Sequence, residues 1–387
     1  MKAKKFRKML AAILAVTMVS AGLAGCGSSE SSSAKSEAAP AAAESETAED
    51  EAEAPAAESA ASEAEAETAD ESTAEAASDD EVYTLKCAYE LADDHVWAVQ
   101  FQAMAEELKE KSNGRLILEL YGNSQLGAES ELITQLMQGS LDMMPTSANN
   151  ISAAYPPCLV LTAPYGIKNL DEANIVYESD WGKQKLQEIE DNTKFHGLSV
   201  LYGGVRHCFT TDKVVNSIDD LKGMKMRVPE WEMYVTMFSE WGASPTTMDF
   251  SEVYLALQQG VVDGFENPID FFMAANMFEV TKTMVKTYHQ AEVSMLWINS
   301  DKYNSLPEDL RNLLDETSDK YCAIASENVE KNEEQKIQSL IDDYGFTVTE
   351  PDLAPFQEAA LTAIHKFDDE WGATAYDEML EVIAVGK

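Results

Sequence analysis

The sequence predicts an α/β protein. Strand-like and helix-like segments alternate through residues 82–387, and that alternation builds a mainly parallel sheet flanked by helices. From Glu308 to Tyr344 there are 37 residues without glycine or proline, enough for one helix of about 55 Å, longer than a small domain. A helix spanning two lobes explains that length, and a chain of 387 residues has room for about two domains.

The elements follow in order. Val82-Tyr83-Thr84-Leu85-Lys86-Cys87-Ala88-Tyr89 alternates as a strand. Trp97 to Lys111 has helical spacing (Val96, Val99, Phe101, Met104, Leu108), and Ser112-Asn113-Gly114 supplies the stop. Arg115 to Tyr121 alternates again, Ala128 to Gln138 is a second amphipathic helix, and Leu141-Asp142-Met143-Met144 is a short third strand. Further strands are expected at Leu198–Tyr202, Lys225–Val228 and Ser294–Ile298.

Everything before residue 82 has a different character. The first 25 residues read as a signal peptide: five cations within residues 2–8, then the apolar run Met9–Val19, too short to span a bilayer well. Leu23-Ala24-Gly25-Cys26 looks like a bacterial lipobox, which implies cleavage before Cys26 and lipidation of its sulfur. Residues 27–81 carry 18 acids against Lys35 alone and no aromatic residue. Such a segment buries too little apolar surface to offset its ordering entropy and is expected to be a disordered stalk (26–81 with the lipidated cysteine). No later run is long and apolar enough for a membrane helix, so the mature protein is expected to be soluble and tethered.

The net charge is −41, and residues 82–387 alone hold 51 acids and 22 bases. Nucleic-acid binding requires a basic face and is excluded. The chain has no Gly-x-Ser-x-Gly elbow, no His-Glu-x-x-His pair and no phosphate loop, and its five histidines are scattered. Neither an enzyme, a metal site nor a cofactor is expected. Cys87, Cys158, Cys208 and Cys322 are far apart, so two disulfides and single buried thiols both remain open.

Residues 216–268 are the most informative. Leu221-Lys222-Gly223-Met224-Lys225-Met226-Arg227-Val228-Pro229 is followed by Gly242-Ala243-Ser244-Pro245-Thr246. Then comes Glu252-Val253-Tyr254-Leu255-Ala256-Leu257-Gln258-Gln259-Gly260-Val261-Val262-Asp263-Gly264-Phe265-Glu266-Asn267-Pro268. This run closely resembles the solute-binding subunits of tripartite ATP-independent periplasmic (TRAP) transporters, the DctP family. Ser124-Gln125-Leu126-Gly127, Gln138-Gly139-Ser140-Leu141-Asp142, Ala163-Pro164-Tyr165 and Leu306-Pro307-Glu308-Asp309-Leu310 extend the similarity over about 82–365.

The resemblance implies a two-lobed, periplasmic-binding-protein-like (Venus-flytrap) fold with a long helix spanning both lobes, closing over a ligand. Lobe 1 would comprise 82–204 plus about 293–332, and lobe 2 would comprise 205–292 plus about 333–387. It implies an organic-acid ligand whose carboxylate is held by Arg227, and a guanidinium fork suits that role where a lysine does not. Arg227 stands at the end of a predicted strand, where α/β sheets place ligands, with Pro229 leading into a helix near Glu230. Arg206 resembles a second ligand-reaching arginine, although its spacing to Arg227 is one residue longer than the family pattern and His207 is an alternative. Asn267 is expected to assist with the acid group and Phe250 to pack on the ligand. Glu90, Glu129, Ser147 and Asn150 fall at the family's variable specificity positions, and Trp231 and Tyr234 could reach the cleft.

The expected protein is a monomer, lipid-anchored on the outer face of the cytoplasmic membrane. It would capture a carboxylate and deliver it to integral membrane TRAP subunits. A two-lobed binding protein of an ATP-driven transporter, or a ligand sensor, is the alternative.

Overall fold

The computed structural model describes residues 81–387; the signal segment, Cys26 and the acidic stalk lie outside the described residues. The first three strand–helix alternations form as the apolar periodicity requires. These are β1 (Tyr83–Ala88), α1 (Val96–Lys111), β2 (Leu116–Tyr121), α2 (Glu129–Gln138), β3 (Met143–Ser147) and the short α3 (Ala148–Ile151). A 3₁₀ segment at Pro156–Thr162 leads to α4 (Leu170–Glu178), α5 (Asp180–Thr193) and the long β4 (Phe195–Thr210). The second half runs β5 (Lys225–Val228), α6 (Glu232–Glu240), β6 (Ser244–Thr247), α7 (Phe250–Gln258), β7 (Gly264–Pro268), α8 (Ile269–Ala274) and the long β8 (Thr283–Asn299). The chain ends with α9 (Ser300–Ser305), α10 (Glu308–Tyr344), β9 (Thr347–Thr349), α11 (Ala354–Ile364), α12 (Asp368–Trp371) and α13 (Ala375–Gly386).

One sheet carries all nine strands in the order β2-β1-β3-β8-β4-β7-β5-β6, with β9 on the other half of β8. It is mixed rather than mainly parallel. The outer pairs β1–β2 and β5–β6 are parallel, but the centre is antiparallel, with β8 against β3 and β4, and β4 against β7. The reason lies in β4 and β8. At 16 and 17 residues they are long enough to serve both halves, Phe195–Tyr202 with Val293–Asn299 on one side and Cys208–Thr210 with Thr283–Val285 on the other.

Between those halves the β4–β8 ladder breaks. Register shifts fall between Tyr202 and Val205 and between Arg206 and Cys208. Gly204 has φ +96°, a conformation that costs a residue with a Cβ. On β8 at the same level Tyr288 is left-handed at φ 47°. Backbone groups released by the break are satisfied from elsewhere, as buried polar groups require. Ser326 Oγ and Glu333 Oε1 of α10 accept from the Tyr202 and Val205 N–H groups, and the Trp97 indole donates to the Tyr202 carbonyl at 3.2 Å. The break is thus built in.

Helix α10 is continuous over all 37 residues and ends on the left-handed Gly345, whose N–H returns to the carbonyls of Leu340 and Ile341. It packs on α1 in one half and α8 in the other, and runs along β4 between them. The C-terminal segment departs from the sequence-based division. Of 333–387, assigned to the second lobe, the end of α10 (Ile337, Leu340), Phe346, β9 and α11 do pack there, α11 against α6 with the Trp241 indole donating to the Phe356 carbonyl at 3.0 Å. Helix α13 returns to α4 of the first lobe, where Glu378 accepts from the Trp181 indole and Tyr376 donates to the Pro164 carbonyl. Nothing in the amphipathic pattern of α13 distinguishes one partner from the other. All four described cysteines are free, buried thiols. No described helix is long and apolar enough to cross a membrane.

Candidate functional site

The cleft lies where the carboxyl ends of β1, β3, β5 and β7 meet the broken stretch of β4 and β8. Its volume is about 410 Å³, within the usual range for small-molecule sites. Seven of the eight expected ligand residues line it: Arg227, Arg206, Asn267, Phe250, Glu90, Glu129 and Asn150. Ser147 does not. It is buried with its hydroxyl unpartnered, and the cleft residue of β3 is Thr146. Side chains alternate along a strand, so choosing the neighbour by one position selects the opposite face.

Arg227 projects from β5, which lies between β6 and β7. Its Nε and Nη2 both donate to the Met248 carbonyl, at 3.0 and 2.7 Å, which fixes the plane of the guanidinium. The Phe250 ring sits 6.0 Å from its Cζ. Among the described residues no carboxylate is within ion-pair distance, and Nη1 has no protein acceptor, although the residue is only 3% exposed. Burial therefore pushes its pKa down to about 10, against the opposing pull of Glu266, Glu90 and Asp249. This is a desolvated cation with donors to spare. Asn267, on the adjacent strand β7, also lines the cleft and makes no side-chain hydrogen bond among the described residues.

Arg206 is equally buried, at 4% exposure, and its circumstances are the reverse. Nε and Nη2 form a fork onto Glu266 at 2.6 and 2.7 Å, and Nη1 reaches Glu292 at 2.5 Å. Its guanidinium also lies over the rings of Trp231 (5.1 Å) and Tyr234 (5.5 Å). His289 Nε2 stands 3.0 Å from Glu266. Burial would raise the Glu266 carboxyl, but Arg206 and His289 outweigh it and hold it down to about 2. The break in β4 creates the space for this cluster. A Cβ on Gly203 would come within 2.7 Å of Glu292 Cγ, so glycine is required for Glu292 to reach in. His207, the alternative to Arg206, points to the other face of β4, with Nδ1 accepting from the Tyr288 N–H and Nε2 3.8 Å from Glu333.

The opposite wall is acidic. Glu90, after β1, accepts from the backbone N–H of Glu129 at 2.9 Å. Glu129, at the start of α2, accepts from the Thr146 hydroxyl at 2.7 Å, and Asn150 donates to that hydroxyl at 3.0 Å. Burial and then the neighbouring Glu90 push the Glu129 carboxyl up to about 8, while burial raises Glu90 against the opposing bond from the Glu129 N–H. Among the described residues a hydrogen bond ties the two walls, from the Trp231 indole at the foot of α6 to the side-chain amide Oδ1 of Asn150 at 2.5 Å.

Glu266, Glu292 and Thr146 were not anticipated as site residues. Glu266 adjoins Asn267 in the run that carries the family resemblance, and its strand position beside a buried arginine was the available signal. Glu292 gives none, because only the β4–β8 break brings it to Arg206. Trp241 and Tyr234 are core residues, with Tyr234 packed against Arg206 from outside the cleft.

Against known proteins, residues 87–370 match the family model of the bacterial extracellular solute-binding proteins, family 7 (DctP). The sialic acid-binding periplasmic protein SiaP of Vibrio cholerae is 32% identical over 289 residues, 75% of this chain and 89% of that protein. The 2,3-diketo-L-gulonate-binding periplasmic protein YiaO of Escherichia coli is 26% identical over 282 residues, 71% and 84% of the two chains. A TRAP periplasmic solute-binding protein from Roseobacter denitrificans, solved with bound L-galactonate, superposes with a TM-score of 0.70 at 29% identity, covering 78% of this chain and 98% of that one. With the two-lobed architecture and the cleft at the junction of its halves, these matches make the chain a member of the DctP family of TRAP-transporter solute-binding proteins.

Proposed function

We propose that this protein captures a small organic acid in the cleft and delivers it to integral membrane TRAP subunits for import, acting as a receptor and not as an enzyme. The observation that carries the ligand class is Arg227, a buried guanidinium with unspent donors in a cleft of molecular size. A ligand carboxylate supplies the missing countercharge through a bidentate pair. Asn267 hydrogen-bonds the same group, Phe250 packs beside it, and Arg206 shapes the wall behind it. Relatives that bind sialic acid, 2,3-diketo-L-gulonate and L-galactonate support the acid class.

In this reading the halves hinge at the β4–β8 break, with lobe boundaries near 204/205 and 292/293, and a ligand touching both walls favours the shut form. Cys26 carries the lipid, 1–25 is removed, and the acidic stalk lets a monomeric receptor reach its membrane partners from the outer face of the cytoplasmic membrane. A thermal-shift screen of residues 82–387 against carboxylates and their amide or alcohol analogues tests the ligand class. At 100 times the dissociation constant a ligand adds about 2.7 kcal/mol, several degrees in Tm. Stabilisation by neutral sugars or peptides and by no acid refutes it.

A further inference from the structure

We infer that the cleft accepts one carboxylate only, so that its ligand is a monoacid whose remaining polar groups are hydroxyl donors, and that Glu90, joined by Glu129 once that carboxyl ionises, rejects a second acid group. The inference rests on the acid-binding reading of Arg227 and narrows it.

The charges facing the cleft lead there. Two cations line it, Arg206 and Arg227. Arg206 has committed three of its nitrogens to Glu266 and Glu292, so it has little left to neutralise an incoming anion. Arg227 is the cation whose donors remain, and one carboxylate saturates it. Apart from the Tyr89 phenol, the other ionisable groups lining the cleft are carboxyls: Glu90, Glu129, Glu230, Asp249 and Glu292. A second ligand carboxylate would therefore be desolvated beside like charges with no cation to receive it. Hydroxyl groups meet the opposite situation. Glu90 uses one oxygen on a backbone N–H and Glu129 one on a threonine hydroxyl, which leaves carboxyl oxygens of both for ligand donors.

The two acids are not equivalent, and this gives a second readout. Glu90 accepts an N–H at the start of α2, where the helix end favours the anion. Glu129 is the more buried and holds its proton to about pH 8. The groups facing Glu129 are Glu90, Glu292 and Arg206, together with Thr146; those facing Glu90 are Asp249 and Arg227. Ionising Glu129 adds a negative charge to a cleft about to receive another, so acid binding weakens as the pH rises through that range.

The test is isothermal titration of the 82–387 domain with galactonate and glucuronate, their two-acid counterpart galactarate, and hexanoate, which lacks the hydroxyls. Neutral galactitol is the control. At pH 7 a hydroxylated monoacid should bind at least 30-fold more tightly than galactarate and hexanoate. Glu90→Gln should narrow the monoacid-to-galactarate ratio at least tenfold at pH 7, whereas Glu129→Gln, replacing a carboxyl still protonated at that pH, should leave the ratio within threefold and flatten the decline in affinity between pH 7 and 9. Galactarate binding within threefold of the monoacids, or hexanoate binding as well as they do, overturns this inference and leaves the acid-binding reading intact. Binding of galactitol in preference to every acid overturns both.

Discussion

The two buried arginines of the cleft lie 21 positions apart in sequence, are equally inaccessible, and serve different purposes because of what surrounds them. Arg206 sits among Glu266, Glu292 and two aromatic rings, with its charge answered by the protein. Among the described residues Arg227 meets the Met248 carbonyl and the Phe250 ring, with no carboxylate paired to its charge. An arginine that is already paired is part of the framework. One that is buried without a countercharge carries a desolvation cost, which in the proposed reading the ligand carboxylate offsets. The same residue type thus carries opposite energetic signs within one wall.

The strongest way to break this contrast is to remove the partner of Arg206. Glu266→Ala removes the fork partner and leaves the buried cation with Glu292 alone, and should destabilise the ligand-free protein by about 3–5 kcal/mol in urea unfolding. A loss under about 1 kcal/mol would show that Arg206 is not structurally paired. Next in size, Arg227→Met should weaken binding of whichever monoacid the wild type takes by about 2–5 kcal/mol in titration calorimetry, since it removes the ligand's only charged partner. The same variant should leave the ligand-free protein as stable as before, or more so, because a desolvated charge has gone. Should Arg206→Met cost more affinity than Arg227→Met at equal stability, the roles are reversed.

Titration sharpens the comparison further. Glu266 is held at about 2 against an ordinary 4.5, so its contribution to stability is present above pH 4.5 and drains away as pH falls towards 2. Glu129 is shifted the other way, up to about 8, so its contribution is full below pH 4.5 and is lost as pH rises to 8. Each limb amounts to something on the order of 1–3 kcal/mol. Glu129→Gln should remove the alkaline limb and leave the acid one, measured by urea unfolding across pH. The smallest effect concerns the bond between the walls. Trp231→Phe deletes the indole donor to Asn150 while keeping a ring against Arg206, and should cost about 1 kcal/mol of stability. No change would mean that the walls are held together by packing alone.

Much of the fold is legible in the sequence because it rests on local patterns. The apolar periods of β1, α1, β2 and α2 announce themselves, and the absence of glycine and proline from Glu308 to Tyr344 foretells a single helix whose bounds the structure reproduces. The extents of β4 and β8 were less visible. Only Leu198–Tyr202 in the first half of β4 and Ser294–Ile298 at the end of β8 look like strands, and the remainder of each depends on neighbours contributed by the other half of the chain. Arg227, Asn267 and Phe250 stand out through a motif, and the structure brings them into one cleft. Ser147 came from the resemblance alone, and the position that faces the cleft is its neighbour Thr146, since a one-residue difference along a strand exchanges faces.

By itself, then, the sequence determined the elements, the acidic character of the domain, and the arginine on β5, since propensity, periodicity and a motif are all properties of neighbouring residues. Only the tertiary structure decided which arginine is free. Arg206 and Arg227 look alike along the chain, and nothing local says that Glu292, 86 residues away, crosses a glycine gap to neutralise one of them and not the other. The state of a buried charge depends on the groups within a few ångströms, because desolvation and pairing act over that range, and those groups are chosen by the fold.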